Sequence, residues 1–339
     1  MHTTPLRIAI VTDAWFPHVS GVATTIRATQ QKLEEWGHTV LVIGPSDFKH
    51  TVPMPGYSEI KLALFARRAL VRKLDAFKPD AIHIAVEGPL GFAARAHCVA
   101  QGIKFSTAYH TRFPEYVHVR TGIPLRWTYA FLRWFHGKAE HTMVASESLK
   151  RELEQNGMKN LVLWHRGVDT DLFTPDDPLP LKGERPIFMY MGRVAPEKTV
   201  EAFLALDLPG TKYVVGDGPA RSQLEKKYPQ VTFTGYKFGR ELAEHVAAAD
   251  VFVFPSLTDT LGLVMLEANA CGVPVATFPS QASESVIQNG LNGIISKDLR
   301  QACLDALKLS REQCRAYALT MGWDAPTRLF LDNIIPHKC

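Results

Sequence analysis

Cysteine is scarce in this chain of 339 residues: Cys98, Cys271, Cys303, Cys314 and Cys339 are widely separated and form no CxxC pair. That excludes a disulfide framework and a thiolate metal or redox centre, and leaves reduced thiols as the expectation. No run of about 18 uninterrupted apolar residues occurs, so no membrane span is expected. The opening MHTTPLRIAIVTD lacks the blocks of a signal peptide and runs straight into a strand-like segment, which points to a cytoplasmic protein. No strand-like segment is followed by GxGxxG with an acid about 20 residues later, which argues against an NAD-dependent oxidoreductase.

What is present suits a globular protein larger than one core usually holds. The mass is 37.8 kDa and the hydrophobic content 46%, so two domains are expected. The net charge of +4 is unevenly shared: residues 1 to 168 hold 21 Lys and Arg against 13 Asp and Glu, and residues 169 to 339 hold 17 against 21. Within the basic half, KLALFARRALVRKLDAFK sets Lys61, Arg67, Arg68, Arg72 and Lys73 among Leu62, Leu64, Phe65, Leu70, Leu74 and Phe77. Such a basic amphipathic face can rest on an anionic membrane, or it covers its own sheet with a solvated basic side. These cations lack interleaved aromatic platforms, so nucleic acid is not an expected partner.

Apolar runs alternate with helix-length segments, which implies an α/β protein with parallel sheets. The expected strands of the first half are Leu6–Val11, Thr39–Gly44, Ala81–Ile84, Ile103–Tyr109, Thr142–Ala145 and Leu161–Trp164. Val22, Ile26, Leu33 and Trp36 form a helical stripe ended by Gly37. Residues 1–173 are read as an N-terminal domain. TPDDPLPLKGERP, residues 174–186, carries four prolines without apolar periodicity and is read as a linker. A second series follows in 187–320: Ile187–Met191, Lys212–Gly216, Val231–Thr234, Val251–Pro255 and Pro274–Phe278. Residues 321–339 are read as crossing back to the first domain. Two doubly wound domains are expected, with ligands beyond the carboxyl ends of their strands.

The motifs stand at those strand ends. Asp259 and Glu267 bracket a loop that opens a helix with Leu263, Leu266 and Ala270 as its apolar stripe. Free amides at the start of such a helix favour an anion such as a pyrophosphate, and flanking carboxylates accept hydrogen bonds from sugar hydroxyls. After Ile187–Met191, GRVAPEK presents Arg193 and Lys198, two cations suited to a leaving diphosphate. GDGP supplies Gly216 and Gly218 for a tight turn near a nucleotide. In the first half, Gly21 and Val22 open a helix after a strand, His110 follows another strand, and Glu87 and Glu115 either contact an acceptor or are solvated. The DTD at Asp169–Asp171 and HGKAEH at His136–His141 are rejected as metal sites, because the position of the one and the spacing of the other are wrong. No metal and no cofactor is assigned.

Taken together, GVATTI, YHTRFPEY, RGVDTDLF, GRVAPEK, GDGP and SLTDTLGLVMLEANACGVPV resemble the retaining glycosyltransferases of family 4, in order and spacing, over essentially the whole chain. The resemblance implies the GT-B fold, two Rossmann-like domains facing across a cleft, and a metal-independent hexosyltransferase. By it, Arg193 and Lys198 would bind the donor diphosphate, Glu267 the ribose and Asp259 the hydroxyls of the transferred sugar. Gly21, with Val22, would approach the diphosphate, His110 would lie near the reacting centre, and amides of Leu261, Gly262, Leu263 and Val264 would complete the anion site. The family typically holds Glu at the position of Asp259, and TFPSQASESVIQNGLNG after Val275 lacks the usual glycine-rich start. Ala81 to Tyr116 resembles the branch of sulfoquinovosyl diacylglycerol synthases, diacylglycerol glycosyltransferases and GDP-mannose-dependent mannosyltransferases. The expectation is transfer of a hexose or hexuronate from a nucleoside diphosphate sugar, a UDP-sugar favoured, to a lipid acceptor such as diacylglycerol. The enzyme would sit peripherally on the inner face of the membrane. The alternatives are a GDP-mannose-dependent or other glycosyltransferase acting on a soluble or polysaccharide acceptor, and a non-catalytic nucleotide-sugar-binding protein.

Overall fold

The alternating pattern folds as two parallel sheets of six strands each in the computed structural model, which describes residues 4–16, 20–54, 57–110, 112–259 and 262–336. Cys339 and Leu261, named above, lie outside the described residues.

Two compact units divide the chain: residues up to Arg166 together with the stretch from Trp323 onward, and Gly167–Gly322. The boundary therefore falls at Arg166, before the expected Phe173. The proline-rich stretch belongs to the second unit rather than forming a free linker. Leu179 N donates to Glu244 O (3.0 Å) and Tyr213 Oη donates to Lys182 O (2.7 Å), which fasten it down.

In the first unit the strands are β1 (Arg7–Val11), β2 (Thr39–Ile43), β3 (Thr51–Met54), β4 (Tyr57–Ala63), β5 (Ala81–Ile84), β6 (Ser106–Ala108), β7 (His141–Val144) and β8 (Leu161–Leu163). The parallel sheet runs β2-β1-β5-β6-β7-β8, and β3 and β4 pair antiparallel beside it. The helices are α1 (Gly21–Glu35), α2 (Arg67–Phe77), α3 (Pro89–Gln101), α4 (Phe113–Thr121), α5 (Leu125–His136) and α6 (Glu147–Gln155). Alternation along β1 sorts the core. Ile8 and Ile10 meet Ile26 and Leu33 of α1 and Phe330 of the C-terminal helix Asp324–Asn333, whereas Ala9 and Val11 meet Leu70 and Leu74 of α2, Ala94 of α3 and Phe135 of α5.

The basic segment Lys61–Lys78 is not one helix. Lys61 lies within β4, Phe65 turns the chain at φ +56° and stands fully in solvent, and only Arg67–Phe77 is helical. Lys61 pairs instead with Pro53 across the hairpin. Lys73 is engaged by Asp47 (2.9 Å), so Arg67, Arg68 and Arg72 make up the outward basic face of the helix.

The second unit repeats the plan with β9 (Ile187–Met191), β10 (Thr211–Val215), β11 (Thr232–Gly235), β12 (Val251–Phe254), β13 (Val275–Thr277) and β14 (Gly293–Ile295), in the order β11-β10-β9-β12-β13-β14. Its helices are α7 (Val200–Leu204), α8 (Arg221–Lys227), α9 (Gly239–Ala247), α10 (Leu263–Ala270), α11 (Gln281–Val286), α12 (Leu299–Ala306) and α13 (Arg311–Leu319). No helix among the described residues is long and apolar enough to cross a membrane.

Candidate active site

In the second unit the carboxyl ends of β9, β10 and β12 carry three loops that lock together. Adding a Cβ at Gly216 (φ +148°) would place it 1.9 Å from Gly192 O, and one at Gly218 (φ +157°) 2.4 Å from Val194 O. The glycines of GDGP thus let the β10 loop lie backbone to backbone on the β9 loop, with Gly192 N donating to Val215 O (3.0 Å) and Val194 N to Asp217 O (2.9 Å). The β9 and β12 loops are tied by Thr199 Oγ1 donating to Pro255 O (2.7 Å) and Thr258 Oγ1 to Glu197 O (3.0 Å). Tyr190 Oη donates to Arg193 O (2.8 Å), which fixes the backbone from which the Arg193 side chain leaves.

This lacing brings Lys198 against Asp259: Lys198 Nζ donates to Asp259 Oδ1 in an ion pair that is largely shielded from solvent. Asp259 Oδ2 is buried and accepts no hydrogen bond from the described residues. Two residues expected in separate roles, one toward a diphosphate and one toward sugar hydroxyls, therefore share one spot. Gly262, at φ +70°, is the cap residue before α10, and Leu263 and Val264 open its first turn. Toward the far end of α10, Glu267 has its carboxyl raised to about 7, by burial first and by the negative charge of Asp169 second. Asp169 spends Oδ1 on the amides of Asp171 (3.1 Å) and Leu172 (2.9 Å), so the first acid of DTD builds a turn.

Two supports of α10 escaped the sequence reading. Asn269 is fully buried and donates to Val273 O (3.0 Å) and Asn292 O (2.9 Å), and Asn292 Nδ2 donates back to Asn269 Oδ1 (2.8 Å). Arg315 reaches Ala270 O (2.7 Å), Phe173 O (2.6 Å) and Thr170 O (2.9 Å), which caps the C-terminus of α10 and ties it to the turn at Asp169.

In the first unit, His110 follows β6. Arg166 Nη2 donates to its Nδ1 (3.0 Å), and its ring meets Trp164 edge-on at 5.6 Å. Burial first, then the Arg166 charge, holds the imidazole well below its ordinary pKa, so it is neutral, and the accepting Nδ1 leaves the proton on Nε2. Arg166 is itself buried and depressed to about 9 by that burial. It also donates to Trp164 O (2.5 Å) and stacks over the Trp164 ring (4.3 Å). His83 completes the group, bonded to Ser106 Oγ (2.9 Å) and lowered to about 3, by burial first and by Arg166 second.

Asp13, at the end of β1, was not anticipated. Its carboxylate accepts from Leu90 N (3.1 Å to each oxygen) and Gly91 N (3.3 Å) at the start of α3. Burial nevertheless raises it to about 6. Glu87 and Glu115 are neither free nor merely solvated: Glu87 bonds His136 Nε2 (2.9 Å) and Glu115 accepts from Tyr129 Oη (2.9 Å). The second histidine of HGKAEH, His141, is bonded to Asn333 O (3.0 Å). Gly21 is the first residue of α1, capped by Ser20 Oγ accepting from Ala23 N (3.2 Å), and Val22 is partly buried against the core. Among the described residues no group of three or more His, Cys, Asp or Glu is disposed to hold a metal ion.

Comparison with known proteins identifies the family. Residues 19–172 match the family described as Glycosyltransferase Family 4, and residues 185–309 match Glycosyl transferases group 1. The chain is 32% identical over 317 residues to the GDP-mannose-dependent alpha-mannosyltransferase of Mycobacterium tuberculosis, covering 86% of this chain and 83% of that protein. It is 30% identical to the sulfoquinovosyl transferase SQD2 of Arabidopsis thaliana, over 86% of this chain and 64% of that longer protein. It is 25% identical to the alpha-monoglucosyldiacylglycerol synthase of Acholeplasma laidlawii, over 85% and 84%. Among solved structures, the sucrose-phosphate synthase of Thermosynechococcus elongatus superposes with a TM-score of 0.75 at 18% identity, covering 96% of this chain and 98% of that one. That likeness is one of fold, the GT-B architecture of two Rossmann-like sheets.

Proposed function

The chain belongs to glycosyltransferase family 4, and from that premise we propose that it moves a hexose or hexuronate from a nucleoside diphosphate sugar, a UDP-sugar, to diacylglycerol at a membrane surface, with retention of the anomeric configuration. The observation that carries the reading is the shielded ion pair of Lys198 with Asp259 on the laced loops ahead of α10, the helix that carries Glu267. A diphosphate at the α10 N-terminus competes with Asp259 for Lys198 and, carrying more charge, draws the ammonium away. The Asp259 carboxylate is then open to sugar hydroxyls. Glu267, poised to ionise near neutral pH, accepts from the ribose. As the glycosidic bond breaks, Arg193 and Lys198 stabilise the leaving diphosphate, whose oxygen takes the proton of the acceptor hydroxyl on the same face. In the first unit His110, neutral and held by Arg166, keeps its proton on Nε2 and would serve as a hydrogen-bond donor. The lipid acceptor draws support from the likeness to the diacylglycerol-glucosylating relative.

The test is nucleoside diphosphate release from UDP-glucose, UDP-galactose, UDP-glucuronate and GDP-mannose, each with and without diacylglycerol in anionic liposomes. Release from a UDP-sugar that rises with the lipid is expected. Turnover only with a soluble sugar acceptor sinks the lipid reading. A second reading, a GDP-mannose-dependent enzyme, is favoured by the 32% identity to the mycobacterial mannosyltransferase, and the GDP-mannose arm decides it.

A further inference from the structure

We infer that the outward face of α5 is a membrane seat: Trp127 and Trp134 enter the interface of an anionic bilayer while Arg126, Arg133 and Lys138 hold its headgroups. The inference extends the lipid-acceptor reading and rests on it for its purpose, though its geometry stands alone.

The inner face of α5 is spent on the core, with Thr128, Tyr129, Leu132, Phe135 and His136 buried. The outer face exposes Trp127 by 65% and Trp134 by 54%, two helical turns apart and hence on one stripe. Two large indoles in water on a single helix form an apolar patch that asks for a partner. The Trp134 ring is braced: it lies in tilted contact with Phe92 and Phe131 at 6.1 Å, and the Arg95 guanidinium, anchored on Phe135 O (2.8 Å), lies 4.1 Å from its centroid. A braced indole loses little freedom when it enters an interface.

Charge selects the partner. From Thr121 to Ala139 the sequence contains Arg126, Arg133 and Lys138 and no carboxylate. Arg126 and Arg133 also line an open groove of about 630 Å³ together with Glu115, Glu152 and Gln155, and both carboxylates are engaged, Glu115 by Tyr129 Oη (2.9 Å) and Glu152 by its ion pair with Arg112. A cationic strip beside tryptophans matches a surface of anionic headgroups over acyl chains, where the indole N–H stays in the polar layer and the ring goes below it. Helices α2, α3 and α5 cover the same face of the sheet, so Arg67, Arg68 and Arg72 on α2 lie in the same layer as this strip.

The experiment is co-sedimentation of the full chain with phosphatidylglycerol/phosphatidylcholine vesicles and with phosphatidylcholine alone, in the absence of any sugar donor. Trp127→Ala/Trp134→Ala is expected to lower partitioning at least tenfold, and Trp127→Phe/Trp134→Phe to keep most of it. Arg126→Gln/Arg133→Gln is expected to remove at least fivefold of the preference for anionic vesicles. Wild-type tryptophan emission should shift to the blue on binding and be quenched by brominated lipid. Partitioning of the folded double alanine variant within twofold of wild type overturns the inference. So does a wild-type dimer, seen by light scattering, that the same variant converts to monomer, because the face then serves a second copy. The two readings fail separately. Lipid-dependent nucleotide release by an alanine variant equal to wild type removes the seat and leaves the acceptor reading. Vesicle binding through these residues without any lipid-dependent release does the reverse.

Discussion

Beside the strand ends of the first unit Arg166 is buried with neutral His110 and His83 against Trp164. At the strand ends of the second, Lys198 faces Asp259 across loops laced backbone to backbone. The first arrangement holds protons in place: burial and a neighbouring cation keep both imidazoles uncharged. The second keeps charge exchangeable, since an ion pair on loops at the strand ends can be traded for another anion. One unit therefore suits fixed hydrogen-bond donors for a neutral partner, and the other suits an incoming diphosphate.

The contrast can be broken most sharply at Lys198. Lys198→Ala should lower kcat/KM by about 10² to 10³, or 3–4 kcal/mol, because the charge that offsets the leaving diphosphate is gone. Steady-state nucleotide release checks it, and near wild-type turnover would falsify the role. The next largest effect is expected at the lacing. Gly216→Ala puts a Cβ into Gly192 O at a backbone angle that suits only glycine, and should cost about 3 kcal/mol, a fall of roughly 10 °C in Tm. A calorimetric scan unchanged by the substitution would show that the loops are not held as described.

Arg166 sharpens the first unit's side. Arg166→Met should reduce kcat about tenfold by freeing His110 to turn, while removal of a cation raises the His110 pKa and moves the acid limb of the pH–rate profile upward. Arg166→Lys should restore part of the limb's position. An unmoved limb in the methionine variant would rule out the coupling.

The smallest effect is a pH slope. A carboxyl raised on folding costs nothing below its unfolded pKa and progressively more above it, so Glu267, raised from 4.5 to about 7, lowers stability as pH climbs through that window. The upper bound is about 3 kcal/mol. Glu267→Gln should flatten that slope in urea titrations at pH 5 and 8, and parallel profiles for the two proteins would refute it. The depressed histidines act with the opposite sign: the stability that neutral His83 contributes is present above about 6.5 and lost as pH falls toward about 3.

The parallel sheets were legible because buried strands such as Ile187–Met191 and Val251–Phe254 are unbroken apolar runs between helix-length segments. The hairpin Thr51–Met54 with Tyr57–Ala63 was not, because its second strand shares Lys61–Ala63 with a basic stretch whose spacing also fits a helix. β14, three residues with glycine at its head, is too short for any periodicity to register. At the site, Lys198, Asp259 and Glu267 stood out as charges at the ends of apolar runs. Arg166 and Asp13 did not, since burial and long-range partners, Leu90 for Asp13 and His110 for Arg166, exist only once the sheet has formed. Asn269 was hidden inside an apolar helix, where a lone amide shows nothing of its partner Asn292.

One feature of the first unit bears on how the protein is made. The core against which Ile8 and Ile10 lie is closed by Phe330 and Leu331, and Pro336 bridges to Ala81, so the unit's last pieces are encoded after all of Gly167–Gly322. During synthesis the second unit, an uninterrupted stretch, can complete its core while the first still lacks a helix. The N-terminal sheet must wait with part of one face uncovered, which makes the first-translated unit the last to mature and gives its folding a high contact order. Trp164, whose ring meets Phe330 at 4.9 Å and lies beside His110, links the arrival of that helix to the ordering of the site.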